Sequence, residues 1–295
     1  MLTKQPNNRK TKQPVTLTPA PTGFVAFTTP TVAEINVNIP KETFPKEVST
    51  YQILPAPYEL FSPEAAQVIA QTLGFTQAAS AKTTGNLYIY TESAKTLTIN
   101  KVSGFINYSI PLRVEELGKG AISENTARTK VKQFFKTLGL DQPFFNWESA
   151  EVKAYALKNG GPKETALSTE TCFLEFTPIL KIHDFAIEAT QTIFVRVSRE
   201  GEIIGLSFWY PNFDWDNPRK VSILSVSEAR KKVETGEGNL ISQTNESLAE
   251  VDLTTIKLVH FVPAEYLVDF ATPRYTRPMF VFGGDAAKVY LEAEK

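Results

Sequence analysis

Apolar and polar residues alternate with two different periods along this chain, and the switches between them mark out its elements. In "FSPEAAQVIAQTLGF", from Phe61, the residues Ala65, Ala66, Ile69 and Leu73 recur at helical spacing. Ser62 stands at the capping position and Pro63 at the first helical one. Gly74 supplies a left-handed terminus, and Phe75 is placed to fold back as the apolar contact of a helix stop. The pattern returns in "ISENTARTKVKQFFKTLGL", where Ser123 caps, Ala127, Val131, Phe134, Phe135 and Leu138 form one stripe, and Gly139-Leu140 closes. A third copy, "LSVSEARKKVETGEG", carries the capping box Ser225/Glu228, apolar Val226, Ala229 and Val233, and Gly236 as the stop. Three helices are therefore expected, starting near Ser62, Ser123 and Ser225.

Each helix is followed by sequence with a period of two. "NLYIYTESAKTLTINKVSGFINYSI" reads as three antiparallel strands broken at Glu92-Ser93-Ala94 and Ser103-Gly104. Further strands are expected in "TCFLEFTPIL", "TIFVRVSREGEIIGLSFWY", "TIKLVHFVPAEYLVDF" and "RPMFVFGGDAAKVYLEA". Capped helices laid repeatedly on antiparallel sheet make an α+β architecture. At this length two domains are expected, 29–117 and 118–295, after a tail over 1–28. That tail holds four prolines and four basic residues, with no acid before Glu34, and no apolar periodicity to offset its ordering entropy.

One hairpin can be read in detail. A two-residue turn at Glu200-Gly201 sets Val197 opposite Ile204, Val195 opposite Leu206 and Ile193 opposite Phe208, giving one apolar face directed at a helix. The other face then carries Phe194, Arg196, Gly205, Ser207 and Trp209. The hairpin leads into "LSFWYPNFDWDN", in which Leu206, Phe208 and Tyr210 point inward and a loop starts at Pro211. Phe194, Arg196 and Trp209, with Asp214, Trp215 and Asp216 of the loop, form the candidate contact surface.

Charge narrows the partner classes. Thirty-one basic residues against 32 acidic ones leave a formal charge of −1, which argues against a nucleic-acid binder that works by neutralising phosphates. The single cysteine, Cys172, excludes an intramolecular disulfide framework. No run reaches the roughly eighteen apolar residues of a membrane span.

Chemical motifs fail on their own requirements. Asp214 and Asp216 could act as a carboxylate pair only if they lay two apart along a strand, and they would then point the same way, whereas glycosidase carboxyls must flank the scissile bond. Asp-x-Asp continues with Pro218 and Arg219 where a calcium loop needs a ligand and a glycine. "GLSFW" has Trp209 where a nucleophile elbow needs its second glycine. Cys172 reads as a packed strand thiol, and His183 and His260 as a surface or a satisfied strand residue, without the spacing of a zinc site. Gly283-Gly284 reads as a turn. No cofactor or metal is expected.

The block from Thr171 to Glu294 resembles the PepSY-like folds of YycH/YycI-type regulatory proteins. Ile193–Ile203, Ser225–Gly236 and Pro278–Gly283 stand where that pattern has its paired strands, its Ser-capped helix and its closing "P-x-[FWY]-x-F-x-G" strand. The resemblance implies a bacterial extracytoplasmic protein anchored by an N-terminal helix, here missing from the chain, and acting without catalytic residues. Its partner would be a protein or peptide, engaged through exposed strand edges. The competing expectation is a cell-wall or glycan hydrolase using Asp214 or Asp216 beside the aromatic run.

Overall fold

The computed structural model describes residues 34–76, 80–111, 123–158, 161–189, 193–242, 250–267 and 270–295. The expected tail, 1–28, lies outside them. Its elements in chain order begin with β1 (Glu34–Val37), β2 (Glu47–Thr50), β3 (Gln52–Ile53), α1 (Tyr58–Phe61), α2 (Pro63–Thr72), β4 (Ser80–Thr84), β5 (Leu87–Glu92), β6 (Lys95–Asn100) and β7 (Phe105–Ser109). Next come α3 (Glu124–Thr137), β8 (Phe145–Lys158), β9 (Gly161–Thr165), β10 (Phe173–Ile182), β11 (Phe185–Ala189), β12 (Phe194–Ser198), β13 (Ile203–Phe208) and β14 (Arg219–Ser222). The chain closes with α4 (Val226–Glu234), β15 (Asn239–Ser242), β16 (Glu250–Leu253), β17 (Thr255–Val262), a 3-10 turn (Ala264–Leu267), β18 (Arg274–Tyr275), β19 (Arg277–Gly283) and β20 (Ala287–Glu292). The fold is α+β and dominated by antiparallel sheet, as the periodicities require.

The three expected helices are present, with both of their ends built as the sequence indicates. Ser62 accepts from the amide of Ala65, Ser123 from that of Thr126, and Ser225 and Glu228 close a reciprocal capping box. At the other ends Gly74, Gly139 and Gly236 all have positive φ. Each helix is sealed by a pair of backbone bonds: Phe75 to Ala70 with Gly74 to Gln71, Leu140 to Phe135 with Gly139 to Lys136, and Glu237 to Lys232 with Gly236 to Val233. That is the double bond of a Schellman stop, which satisfies carbonyls the helix leaves open.

Two compact units share the chain discontinuously. The smaller takes residues up to Val48, Lys220–Val259 and Arg277–Lys295; the larger takes Ser49–Arg219 and His260–Thr276. The boundary expected between 117 and 118 therefore falls inside the larger unit, because β7 pairs with β13 nearly a hundred residues later, Leu206 opposite Tyr108. A cut at 117 would sever a continuous ladder.

In the smaller unit β15, β20, β19 and β17 lie side by side, β1 pairs parallel with β16, and α4 touches β1 and β20. In the larger unit the ladder β10-β12-β13-β7-β6-β5-β4 is antiparallel throughout, β11 folds back on β10, and β8 pairs with both β10 and β9. Helix α3 covers one face of this sheet. Its Phe135 stacks on Trp147 at 4.6 Å and meets Phe208 at 4.9 Å between centroids. Val195, Val197, Leu206 and Phe208 are wholly buried on that face, so the apolar stripe expected on this hairpin does face a helix.

Its register holds with one local change. Val195 lies opposite Leu206 as expected, but Val197 lies opposite Ile203, and the shift falls after Arg196. The turn has three residues rather than two: Gly201 donates to the Ser198 carbonyl, Ser198 donates to that of Glu202, and Gly201 has φ +83°. A three-residue turn slides the register by one and the bulge slides it back. The two deviations cancel before Val195 is reached.

Candidate functional site

The run "LSFWYPNFDWDN" is only half strand, and its second half is stitched to a remote part of the chain. After Phe208 the ladder ends, and Tyr210 donates from its amide to the Gly104 carbonyl at 3.2 Å. Leu54 donates to Asn212 and Asp214 donates to Gln52, so 212–214 bridges to β3, with Phe213 opposite Ile53. Gly104 makes the close crossing possible: its φ is +67°, and a Cβ there would sit 2.7 Å from Tyr210 Cβ and 2.9 Å from Ala56 Cβ.

This crossing overturns the expected orientation of Trp209. The indole is 1% exposed, packed in the main core edge-on to Phe213. Strand alternation stops at Phe208, so the rule that would have turned Trp209 outward no longer applies. Tyr210 is buried as expected, and its hydroxyl accepts from Gln142 Nε2 at 2.7 Å. Phe194 and Arg196 do occupy the open face of the sheet, yet they are partners of each other. Arg196 lies 4.6 Å over the Phe194 ring and 5.6 Å over Phe173, and its Nε donates to Glu175 at 2.7 Å. The guanidinium stem covers Gly205, filling the shallow floor.

Asp214 closes a local turn: its carboxylate accepts from the amide and side chain of Asn217. Asp216 is exposed. Neither lines the groove formed beside them.

Trp215 is different. It is 43% exposed, yet its indole is held by three rings, Tyr51 at 5.0 Å, Phe213 at 5.3 Å and Phe144 at 5.9 Å. Beside it opens a groove of about 830 Å³, lined among others by Gln142, Phe144, Asn146, Lys181 and His183. Two stretches of paired strand supply these walls, the start of β8 and the end of β10, with Leu180 opposite Phe145. The β10–β11 hairpin turns in two residues between Ile182 and Phe185, and its first turn residue, His183, has φ +51°. That positive φ is what the first residue of a two-residue hairpin turn requires.

Behind the groove both histidines of the chain converge on Tyr51. The Tyr51 hydroxyl and His183 Nε2 are 2.9 Å apart, the Tyr51 amide donates to Thr276 Oγ1 at 3.1 Å, and Thr276 Oγ1 shares a bond with His260 Nδ1 at 3.3 Å. His183 is exposed while His260 is 3% exposed. Burial pushes the His260 imidazole well down, to about 4, with His183 as a smaller repulsive contribution. His260 is thus a neutral, satisfied strand histidine and His183 a surface one, the two roles read for them in the sequence. Their meeting at Tyr51 was not legible, since nothing local links positions 51, 183, 260 and 276.

A larger trough, about 1340 Å³, lies in the smaller unit between residues 39–47 and the N-terminus of α4. That terminus is already satisfied by its own capping box, and Glu228 further pairs with Lys295 at 3.6 Å. The Trp215 groove, with preformed aromatic walls, is the better candidate site.

No family model matches the chain, and no curated protein matches it. Among solved structures, the crystal structure of an uncharacterized protein from Eubacterium rectale superposes with a TM-score of 0.48 at 10% identity, over 90% of this chain and 87% of that one.

Proposed function

We propose that this protein is a non-enzymatic accessory module that binds a segment of a protein or peptide partner in the Trp215 groove. The observation that carries the reading is a half-exposed indole already locked by Tyr51, Phe144 and Phe213 at the mouth of an open groove. Aromatic anchors of this kind dominate binding energies when they are desolvated by a partner. Because neighbouring rings fix the indole beforehand, little side-chain entropy is left to lose on association.

The resemblance to YycH/YycI-type proteins supports the same reading from the sequence side, since those act through contacts. With it goes a regulatory role and a location outside the bacterial cytoplasmic membrane, behind an N-terminal anchor. Fractionation of cells expressing the protein tests the location; recovery in the cytosol would exclude it.

The binding role is tested by selecting from a display library of random twelve-residue peptides against the protein and against Trp215→Ala. Peptides enriched on the first and lost on the second are expected. A library that enriches nothing, or enriches equally on both, would contradict it.

A further inference from the structure

Resting on the groove reading, we propose that the ligand is acidic: an extended peptide in which a large apolar or aromatic side chain lies next to a carboxylate. The apolar half of this follows from the floor. Phe144 and Trp215 present ring surface, and a volume of about 830 Å³ suits several peptide residues rather than a single ion.

The charged half follows from the cations at the rim. Lys181 is exposed and lines the groove, and no carboxylate pairs with it among the described residues; no aspartate or glutamate lines the groove either. Its neighbours on the same sheet differ. Lys153 meets Glu151 at 3.5 Å and Glu164 at 3.7 Å, Lys158 meets Glu170 at 3.9 Å, and Arg196 meets Glu175 at 2.7 Å. Unlike these three, Lys181 makes no ion pair among the described residues, and it stands at the groove. His183 adds a second recognition group: its Nε2 is engaged by Tyr51, which fixes the ring, and its Nδ1 has no partner among the described residues. A carboxylate seated between Lys181 and His183 would gain charge-assisted bonds while its neighbouring side chain covers Trp215. A neutral peptide would leave the lysine uncompensated.

The test uses two display libraries identical except that one admits Asp and Glu and the other substitutes Asn and Gln. Sedimentation of the protein and of Trp215→Ala first establishes whether it self-associates through the groove. Enrichment from the acidic library alone is expected. A synthetic peptide from it should bind Lys181→Gln about fivefold more weakly and lose affinity as salt rises from about 0.05 to 0.5 M. Lys181→Gln should melt like the wild type, since the ammonium makes no hydrogen bond or ion pair among the described residues. Equal enrichment from both libraries would overturn the acidic ligand while leaving the groove reading intact. Enrichment from neither would overturn both, and a dimer abolished by Trp215→Ala would show that a second copy covers the groove.

Discussion

Lowering the pH from 7.5 to 5 is expected to destabilise the larger unit through His260, before most carboxylates titrate. The unfolded imidazole titrates near its ordinary value of 6.5, whereas the folded one is pushed down to about 4 because the ring is buried. For a base with a depressed folded value the sign is fixed. Above about pH 6.5 neither state holds the proton and the contribution is fully present; as pH falls the unfolded state binds the proton first, and stability declines until the folded ring titrates. The gap of about 2.5 units corresponds to about 2 kcal/mol lost by pH 5 and about 3 kcal/mol by pH 4. Urea melts followed by tryptophan fluorescence suit the measurement, because Trp147, Trp209 and Trp215 all lie in the unit that holds His260. His260→Asn removes the titration while keeping a polar group for Thr276. The variant should start lower at pH 7.5 and then lose about 2 kcal/mol less than the wild type on going to pH 5. Parallel pH profiles for the two proteins would refute the reasoning, since carboxylates contribute equally to both.

Trp209→Ala should cost about 3–5 kcal/mol by emptying a wholly buried indole site, whereas Trp215→Ala should cost under about 1 kcal/mol because that indole is half exposed; urea midpoints rank them. Gly104→Ala should destabilise at least as much as an ordinary core change, because its φ is left-handed and the new Cβ would collide with Tyr210 and Ala56. A Gly104→Ala protein with unchanged melting temperature would show that 209–213 does not cross beneath 51–56.

Local chemistry was readable from the sequence wherever it governs structure. Ser62, Ser123 and Ser225 with Gly74, Gly139 and Gly236 located three helices because caps act within a few residues. The β12–β13 face was legible because the period of two places Val195, Val197, Leu206 and Phe208 together, whatever the turn does. Strand β8 escaped notice, since "FNWESAEVKAYALK" mixes alanines and charges and is buried by its neighbours rather than by its own alternation. The orientation of Trp209 is not legible because strand alternation ends at Phe208, where the chain turns to pair 212–214 with β3, more than 150 residues away. The same distance hid Tyr51, whose meeting with His183, Trp215 and His260 is purely tertiary. Of the six candidate contact residues, Trp215 alone sits in the groove. Its partners there, Phe144, Lys181 and His183, come from two strand ends that only the β8–β10 ladder brings together.

The indole resonances of the three tryptophans test the groove most directly. With a peptide selected on the wild type added to nitrogen-15-labelled protein, the Trp215 indole signal should move with saturation while those of Trp147 and Trp209, 3% and 1% exposed, stay in place. A tight peptide that leaves the Trp215 signal unmoved would contradict the proposal that this groove is where the protein meets its partner.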